Sequence, residues 1–531
     1  MPTFDETYKA AFSFTDPAVD VGHVIREGSA TADLPLRIPL RMMNRHGMIA
    51  GSTGTGKTRT LQLFAEQLSR HGVPVFLADV KGDLAGMCIP GEASERLMKR
   101  AAGVGRTHTP EAFPVEFFSL TGNRGIQVRA TVSSFGPVLL GKVLDLTDVQ
   151  QSVLALVFKY ADDRHMPLLD LDDLRTLLRY LSEGEGKDEL KAYGAMSSAT
   201  VGVLLRKMVE LEQQGAARFF GEPELDIADL MRNVNGKGVV NVLSLADVQD
   251  KPRLYSTFLM WLLGQFYYRM PEVGDADKPK LVFFFDEAHL LFDDASSALV
   301  EHIEQVARLI RSKGIGVFFI TQTPKDVDED VLAQLGNRVQ HAIRAFTPKD
   351  AKNIKATAST FPMSEYVDVA KSITILGTGE ALVTVLDPKG VPTPVATAQI
   401  LAPSSSMSAI DDATYARVMA ASQLVAKYAT PVNRDSAHEM LQRKLEASAQ
   451  QAAEPEPQPQ PQGRYADEAD DFAWRQSSSR RPASRRVSTG ARRSTRQTPM
   501  EAAMNQMART ATREVTKSAV RGIAGILKNL F

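Results

Sequence analysis

The sequence predicts an α/β fold built on a mostly parallel central sheet, and three stretches carry that prediction. The first is a glycine-rich loop at 51–58. It lies between the apolar segment Gly47-Met48-Ile49-Ala50 and a helical pattern with Leu61, Phe64, Ala65 and Leu68 at three- and four-residue spacing. The second is Leu281-Val282-Phe283-Phe284-Phe285, a continuous apolar run leading straight into Asp286 and Glu287. The third is Gly316-Val317-Phe318-Phe319-Ile320-Thr321, which ends in Gln322. Apolar runs of this kind belong to strands covered on both faces, as in parallel sheets.

At 531 residues the chain is long for a single core and suggests two or three units. Its composition, 44% hydrophobic and 24% charged with net charge −1, is that of a soluble globular protein. One cysteine, Cys88, excludes an internal disulfide framework and suits a reducing compartment. The N-terminus has no charged segment followed by an apolar one, and no apolar run reaches the roughly 18 residues of a spanning helix. The expected location is therefore cytoplasmic.

Taken in order, residues 1–46 read as a short β segment, with strands near 22–26 and 36–40. Asn44, Arg45 and His46, just before the glycine-rich loop's strand, read as a surface turn. Residues 47–136 form the first part of the α/β core. Here Val73–Asp79 is a buried-type strand running into Asp79-Val80-Lys81-Gly82-Asp83, and 115–120 is a further strand, at a sheet edge. Ligands of open α/β sheets sit beyond the carboxyl ends of strands. Asp79, Lys81 and Asp83 are therefore placed either near a nucleotide or subunit contact, or in a plain polar turn. From 137 to 235 the pattern is helical, for example at 149–158 and 171–178, and reads as an insertion. The core resumes over 236–402, with a strand at 238–245, an amphipathic helix from about Tyr255 to Tyr268, and the two apolar strands named above. One or two helices follow over 403–450. Residues 451–500, Pro-rich and then Arg/Ser-rich, form a linker, and 501–531 carry an amphipathic helix.

The chemistry begins at Gly51-Ser52-Thr53-Gly54-Thr55-Gly56-Lys57-Thr58, which fits the phosphate-binding pattern G-x-x-x-x-G-K-[ST]. A loop that wraps backbone N–H groups around a phosphate needs side chains absent at the closest approach, and Gly51, Gly54 and Gly56 supply that clearance. Lys57 adds a positive charge within reach of the β- and γ-phosphates, and Thr58 a hydroxyl for Mg²⁺. ATP with Mg²⁺ is the expected ligand. Asp286, ending an apolar strand, suits the metal's water shell, and Glu287 suits a general base that polarises the attacking water. If the 316–321 strand lies between the other two, Gln322 faces the γ-phosphate and orients the water. Asp286-Glu287-Ala288-His289 spells the box of another helicase class, but the Ser-Ala-Thr motif that should follow it lies upstream at 198–200, so that reading is rejected. A P-loop kinase is disfavoured because Glu287 and Gln322 suit water rather than an acceptor site.

Together with Leu335-Gly336-Asn337-Arg338-Val339-Gln340-His341-Ala342-Ile343-Arg344, these motifs resemble the HerA/FtsK superfamily of P-loop motor ATPases. The helical insertion resembles the HerA branch, and the Asp79–Asp83 stretch, the Asn-Arg-Val-Gln-His stretch and the basic tail resemble its YjgR-type members. The resemblance implies a RecA-like core that assembles into a ring, usually a hexamer, with ATP at subunit interfaces and an arginine from the neighbour completing each site. Arg344 is the first candidate for that finger, Arg338 the second and Arg311 the third. HerA-type motors also carry a substantial N-terminal β-barrel, whereas only about 45 residues precede the P-loop strand here. Partner docking or DNA loading through a barrel therefore does not carry over with the resemblance.

Trp474 to Phe531 holds eleven Arg and two Lys against two Glu, a net charge of +11. Such a tail can meet nucleic-acid phosphate, an anionic membrane surface or a protein partner, or simply stay solvated. Two function classes follow. One is an ATP-hydrolysing ring that translocates double-stranded DNA. The other is an ATPase acting on a protein or membrane-associated partner, or a nucleotide-regulated scaffold.

Overall fold

The P-loop strand β3 (Gly47–Ala50) sits in the middle of a 12-stranded sheet. The computed structural model describes residues 3–453 apart from 275, 293–296, 345–346 and 433. These belong to one compact unit, Met1–Pro455; of the linker expected over 451–500, residues 451–453 instead end a helix, and the rest of it, with the helix expected over 501–531, lies outside the described residues.

The other strands are β1 (Ala18–Arg26), β2 (Ser29–Pro39), β4 (Val75–Asp79), β5 (Val115–Ser119), β6 (Ile126–Gln127), β7 (Val240–Ser244), β8 (Leu281–Phe285), β9 (Ile315–Thr321), β10 (Asn337–His341), β11 (Glu380–Thr384) and β12 (Ala396–Ile400). Their spatial order is β2-β1-β12-β11-β10-β3-β9-β8-β4-β7-β5-β6. The eight strands from β10 to β6 pair in parallel. Their carboxyl ends therefore share one edge, where a ligand of an open α/β sheet binds. The remaining four pair antiparallel and continue the same sheet. The fold is thus α/β with a mostly parallel sheet.

The parallel strands β3, β4, β5, β8 and β9 are buried at every residue. Their apolar side chains feed two cores, one on each face of the sheet. The β segment of residues 1–46 is part of the main sheet. β1 and β2 extend the sheet through β12, and a helix, Phe4–Phe12, opens the chain under a Thr3–Glu6 capping box.

The surface turn expected at 44–46 is not observed. Asn44 and His46 are buried. His46 Nδ1 accepts from the Val317 N–H (3.0 Å) and Nε2 contacts the Ala307 carbonyl (2.5 Å), so the imidazole joins β9 to the helix Ser297–Ile310. Polar side chains in a row read as solvated, and only the tertiary partners show that the imidazole of His46 is satisfied inside.

Helices Val132–Val143, Asp148–Asp163, Leu171–Ser182 and Ser198–Gln213 lie between β6 and β7 in the chain. The first of them, with the helix Ser297–Ile310, packs on the helix Pro252–Arg269, which is buried continuously from Phe258 to Phe266 instead of being amphipathic. Trp261 Nε1 donates to Ser134 Oγ (2.9 Å) and Gln265 Nε2 to the Ser134 carbonyl (2.9 Å), fixing the first insertion helix to it. After β12 the described residues hold three helices, Asp412–Ala421, Gln423–Tyr428 and Ala437–Ala453. The last is tied to the insertion where the His438 N–H donates to Asp173 Oδ1 (2.8 Å).

Candidate functional site

The glycine-rich loop leaves β3 and enters the helix Lys57–Arg70 at the edge where the parallel strands end. Gly51 has φ +151°, and a Cβ there would stand 2.6 Å from His341 Cβ. Gly56 has φ +125°, with His341 Cε1 3.2 Å from a would-be Cβ. Both positions demand glycine for backbone angle and for space. The loop is braced from its flanks: the Gly51 N–H donates to the Thr321 carbonyl (3.2 Å), the Ser52 N–H to the Ala342 carbonyl (2.8 Å) and the Gly379 N–H to the Thr55 carbonyl (3.0 Å). Thr53 and Gly54 form its exposed tip, and Thr58 is half-buried one residue beyond Lys57.

Lys57 is buried, and its ammonium donates to the Gly51 carbonyl at 2.7 Å. Burial lowers its pKa, and the Glu287 and Asp286 carboxylates oppose that shift. β9 lies between β3 and β8, so the ends of the three strands put Lys57, Gln322 and the Asp286–Glu287 pair on one edge. Gln322 is exposed there. Its turn is held by Asp326, which accepts from the Thr321 hydroxyl (2.5 Å) and the Thr323 N–H (2.9 Å).

Asp286 is buried. Burial first, and the neighbouring Glu287 second, push its carboxyl up to about 7. Oδ1 accepts from the Glu287 N–H (2.9 Å), while Oδ2 is buried with no hydrogen-bond partner. An orphaned buried carboxylate oxygen fits a divalent cation or its water shell. No group of three or more His, Cys, Asp or Glu forms an all-protein metal cage among the described residues. Mg²⁺ keeps waters and phosphate oxygens as ligands, so a single carboxylate oxygen such as Asp286 Oδ2 can serve it. Glu287 pairs through Oε1 with the Lys81 ammonium.

The stretch 337–344 supports the loop. Asn337 Nδ2 donates to the carbonyls of Met42 (3.0 Å) and His46 (3.0 Å). His341 is buried beneath the loop, with Nδ1 donating to the Glu380 carbonyl (2.9 Å) and Nε2 2.8 Å from Thr60 Oγ1. In the sequence His341 stands out only as the last residue of the Asn-Arg-Val-Gln-His stretch, and its bracing role depends on β10 lying beside β3. Arg338 donates to the carbonyls of Leu335 (3.2 Å), Leu332 (3.3 Å) and Thr360. Arg344 stands beside its own P-loop: its N–H donates to Ser52 Oγ (3.0 Å), and its guanidinium to the carbonyls of Thr374 (3.3 Å) and Leu376 (3.2 Å). Arg311 is exposed just before the amino end of β9, across the sheet from the P-loop. Both leading arginines are thus engaged within their own chain.

The family model described as "Helicase HerA-like C-terminal" matches residues 25–529. This chain belongs to the HerA-like helicase family of P-loop ATPases. The DNA double-strand break repair helicase HerA of Saccharolobus solfataricus is 23% identical over 383 residues, covering 71% of this chain and 68% of that protein. The protein of the same name from Sulfolobus acidocaldarius is 22% identical over 384 residues, covering 71% and 68%. A solved structure of the bacterial conjugative coupling protein TrwB is 15% identical, with a TM-score of 0.49 over 76% of this chain and 93% of that one. Among the described residues of this HerA-like ATPase, no helix is long and apolar enough to cross a membrane.

Its buried imidazoles predict acid lability. Burial lowers both His46 and His341 to about 4 from an ordinary 6.5. The unfolded chain therefore binds these protons below pH 6.5 while the native chain refuses them until about 4. Stability present above pH 6.5 is lost as pH falls through that window. Asp286, raised to about 7, and Asp79, raised to about 6, change stability in the opposite sense over the same range, so the check is on the imidazoles themselves: NMR titration of the folded chain is expected to find His46 and His341 neutral at pH 5, and either one titrating near 6.5 would refute it.

Proposed function

We propose that this chain is an ATP-hydrolysing motor that assembles as a ring, hexameric by family resemblance, and translocates double-stranded DNA. The observation that carries the reading is the convergence of Lys57, Asp286–Glu287 and Gln322 at the ends of the adjacent strands β3, β8 and β9. The relatives named as DNA repair helicases support the choice of DNA.

In this reading the backbone of Gly51–Thr58 and the Lys57 ammonium bind the phosphates of ATP. Thr58 and Asp286 hold Mg²⁺, which when bound neutralises phosphate charge. Glu287 takes the proton of the attacking water, and Gln322 orients that water. An arginine from a neighbouring subunit completes the site. For Arg344 or Arg338 to serve, assembly has to draw the guanidinium away from the carbonyls that hold it here. Loss of DNA-stimulated turnover in Arg344→Ala, with ATP affinity retained, supports Arg344, and wild-type turnover removes it.

The decisive experiment is steady-state ATP hydrolysis by the full chain with and without long double-stranded DNA. Strong stimulation at near-physiological salt is expected. Hydrolysis indifferent to DNA would overturn the translocase assignment and leave an ATPase that works on a protein or membrane-associated partner.

A further inference from the structure

The residues between β4 and its following turn are built around one carboxylate. Asp79 is buried, and accepts from the N–H groups of Gly82 (2.7 Å) and Leu84 (3.1 Å). Those two bonds curl residues 80–84 into a defined loop, in the manner of an Asx turn. β4 lies beside β8, so the loop carries Lys81 to the end of the neighbouring strand. There its ammonium pairs with Glu287 Oε1.

The other face of that carboxylate is closed. Glu287 Oε2 is buried with no hydrogen-bond partner, and His289 Nδ1 stands 3.4 Å from it. One oxygen holds an ammonium and the other meets no solvent, so neither is placed to receive a proton from water. The backbone agrees that this is a held conformation. Glu287 has φ +47°, in the left-handed region that non-glycine residues rarely adopt. Its N–H is tied to Asp286 Oδ1 (2.9 Å).

Lys81 itself has somewhere to go. Its side chain is 49% exposed, while that of Glu287 is 9% exposed. It also lines a cavity of about 290 Å³ whose wall includes Gly82, Ser244, Arg124 and Tyr415. A rotation of the lysine stem into that space frees Glu287 without moving the sheet.

We propose that Lys81 is a positioning residue that withholds Glu287, so that turnover requires the ammonium to release the carboxylate. The proposal rests on the reading of Glu287 as the general base. Its consequence is a low basal rate of ATP hydrolysis. An ion pair with one half-exposed partner is a weak hold, so the repression is expected to be about two- to fivefold.

The test is steady-state ATP hydrolysis by the full chain without DNA, comparing wild type, Lys81→Met, Lys81→Gln, Lys81→Arg, Glu287→Gln and the double variant Lys81→Met/Glu287→Gln. Lys81→Met and Lys81→Gln are expected to raise kcat about two- to fivefold at unchanged KM for ATP, a gain that loss of structure does not produce. Lys81→Arg, which returns a cation of similar reach, is expected to restore most of the repression. The double variant is expected to be as slow as Glu287→Gln alone, showing that the added turnover runs through Glu287. A kcat equal to or below wild type in both neutral variants overturns the proposal. Wild-type turnover in Glu287→Gln instead overturns the assignment of the base.

Discussion

Glu287→Gln is expected to bind ATP about as tightly as the wild type and to hydrolyse it about 10²–10⁴-fold more slowly, the usual worth of a positioned general base. The expectation follows from where the side chain stands. It follows the end of the buried strand β8 by two residues, its backbone N–H is bonded to Asp286 Oδ1, and β8 lies across β9 from the P-loop strand. Glutamine has the same length and keeps an oxygen that can accept from Lys81, so the local packing is retained. What it lacks is a group that takes up a proton from water at neutral pH. Calorimetric ATP binding together with single-turnover hydrolysis separates the two effects. Turnover within tenfold of wild type would sink the assignment, and a large loss of ATP affinity would show that Glu287 holds the site's shape instead.

Lys57→Ala is expected to weaken ATP binding about 10–100-fold and to bring hydrolysis to background, on the worth of hydrogen bonds made by a charged donor. The ammonium sits inside the loop, 2.7 Å from the Gly51 carbonyl, and is itself buried. Burial has already stripped it of much of its water, so the cost of desolvation is met in folding and not at the moment of binding. Without it, the phosphates meet only backbone dipoles on one side and the Asp286 and Glu287 carboxylates on the other. Isothermal titration with ATP in the presence of Mg²⁺ is the direct measurement. Affinity within threefold of wild type would refute the phosphate role of the loop.

Much of the site was legible because its signals are local. The glycines at 51, 54 and 56 all take positive φ, so their spacing records a backbone path. The apolar run of 281–285 records burial on both faces. Asp79-Val80-Lys81-Gly82-Asp83 was legible only as a polar strand end. Its spacing contains the cap made by Asp79, but the partner of Lys81 is 206 residues away in the chain. The helix Pro252–Arg269 read as amphipathic because a window of sequence carries no information on what covers its second face. The helices Val132–Val143 and Ser297–Ile310 supply that cover.

By itself, the sequence determined the α/β class, the phosphate loop, and the acidic strand end that would face it, because each is written in residue types a few positions apart. Only the tertiary structure decided strand order, and with it the placement of β9 between β3 and β8 that brings Gln322 to the site edge. It also decided that His46 and His341 are buried braces, that Arg338 and Arg344 are engaged by carbonyls of their own chain, and that Lys81 holds Glu287. The physical reason is the same in each case. Hydrogen bonds and ion pairs depend on a few ångströms in space, and residues that meet at that range across a sheet are separated by an arbitrary length of chain.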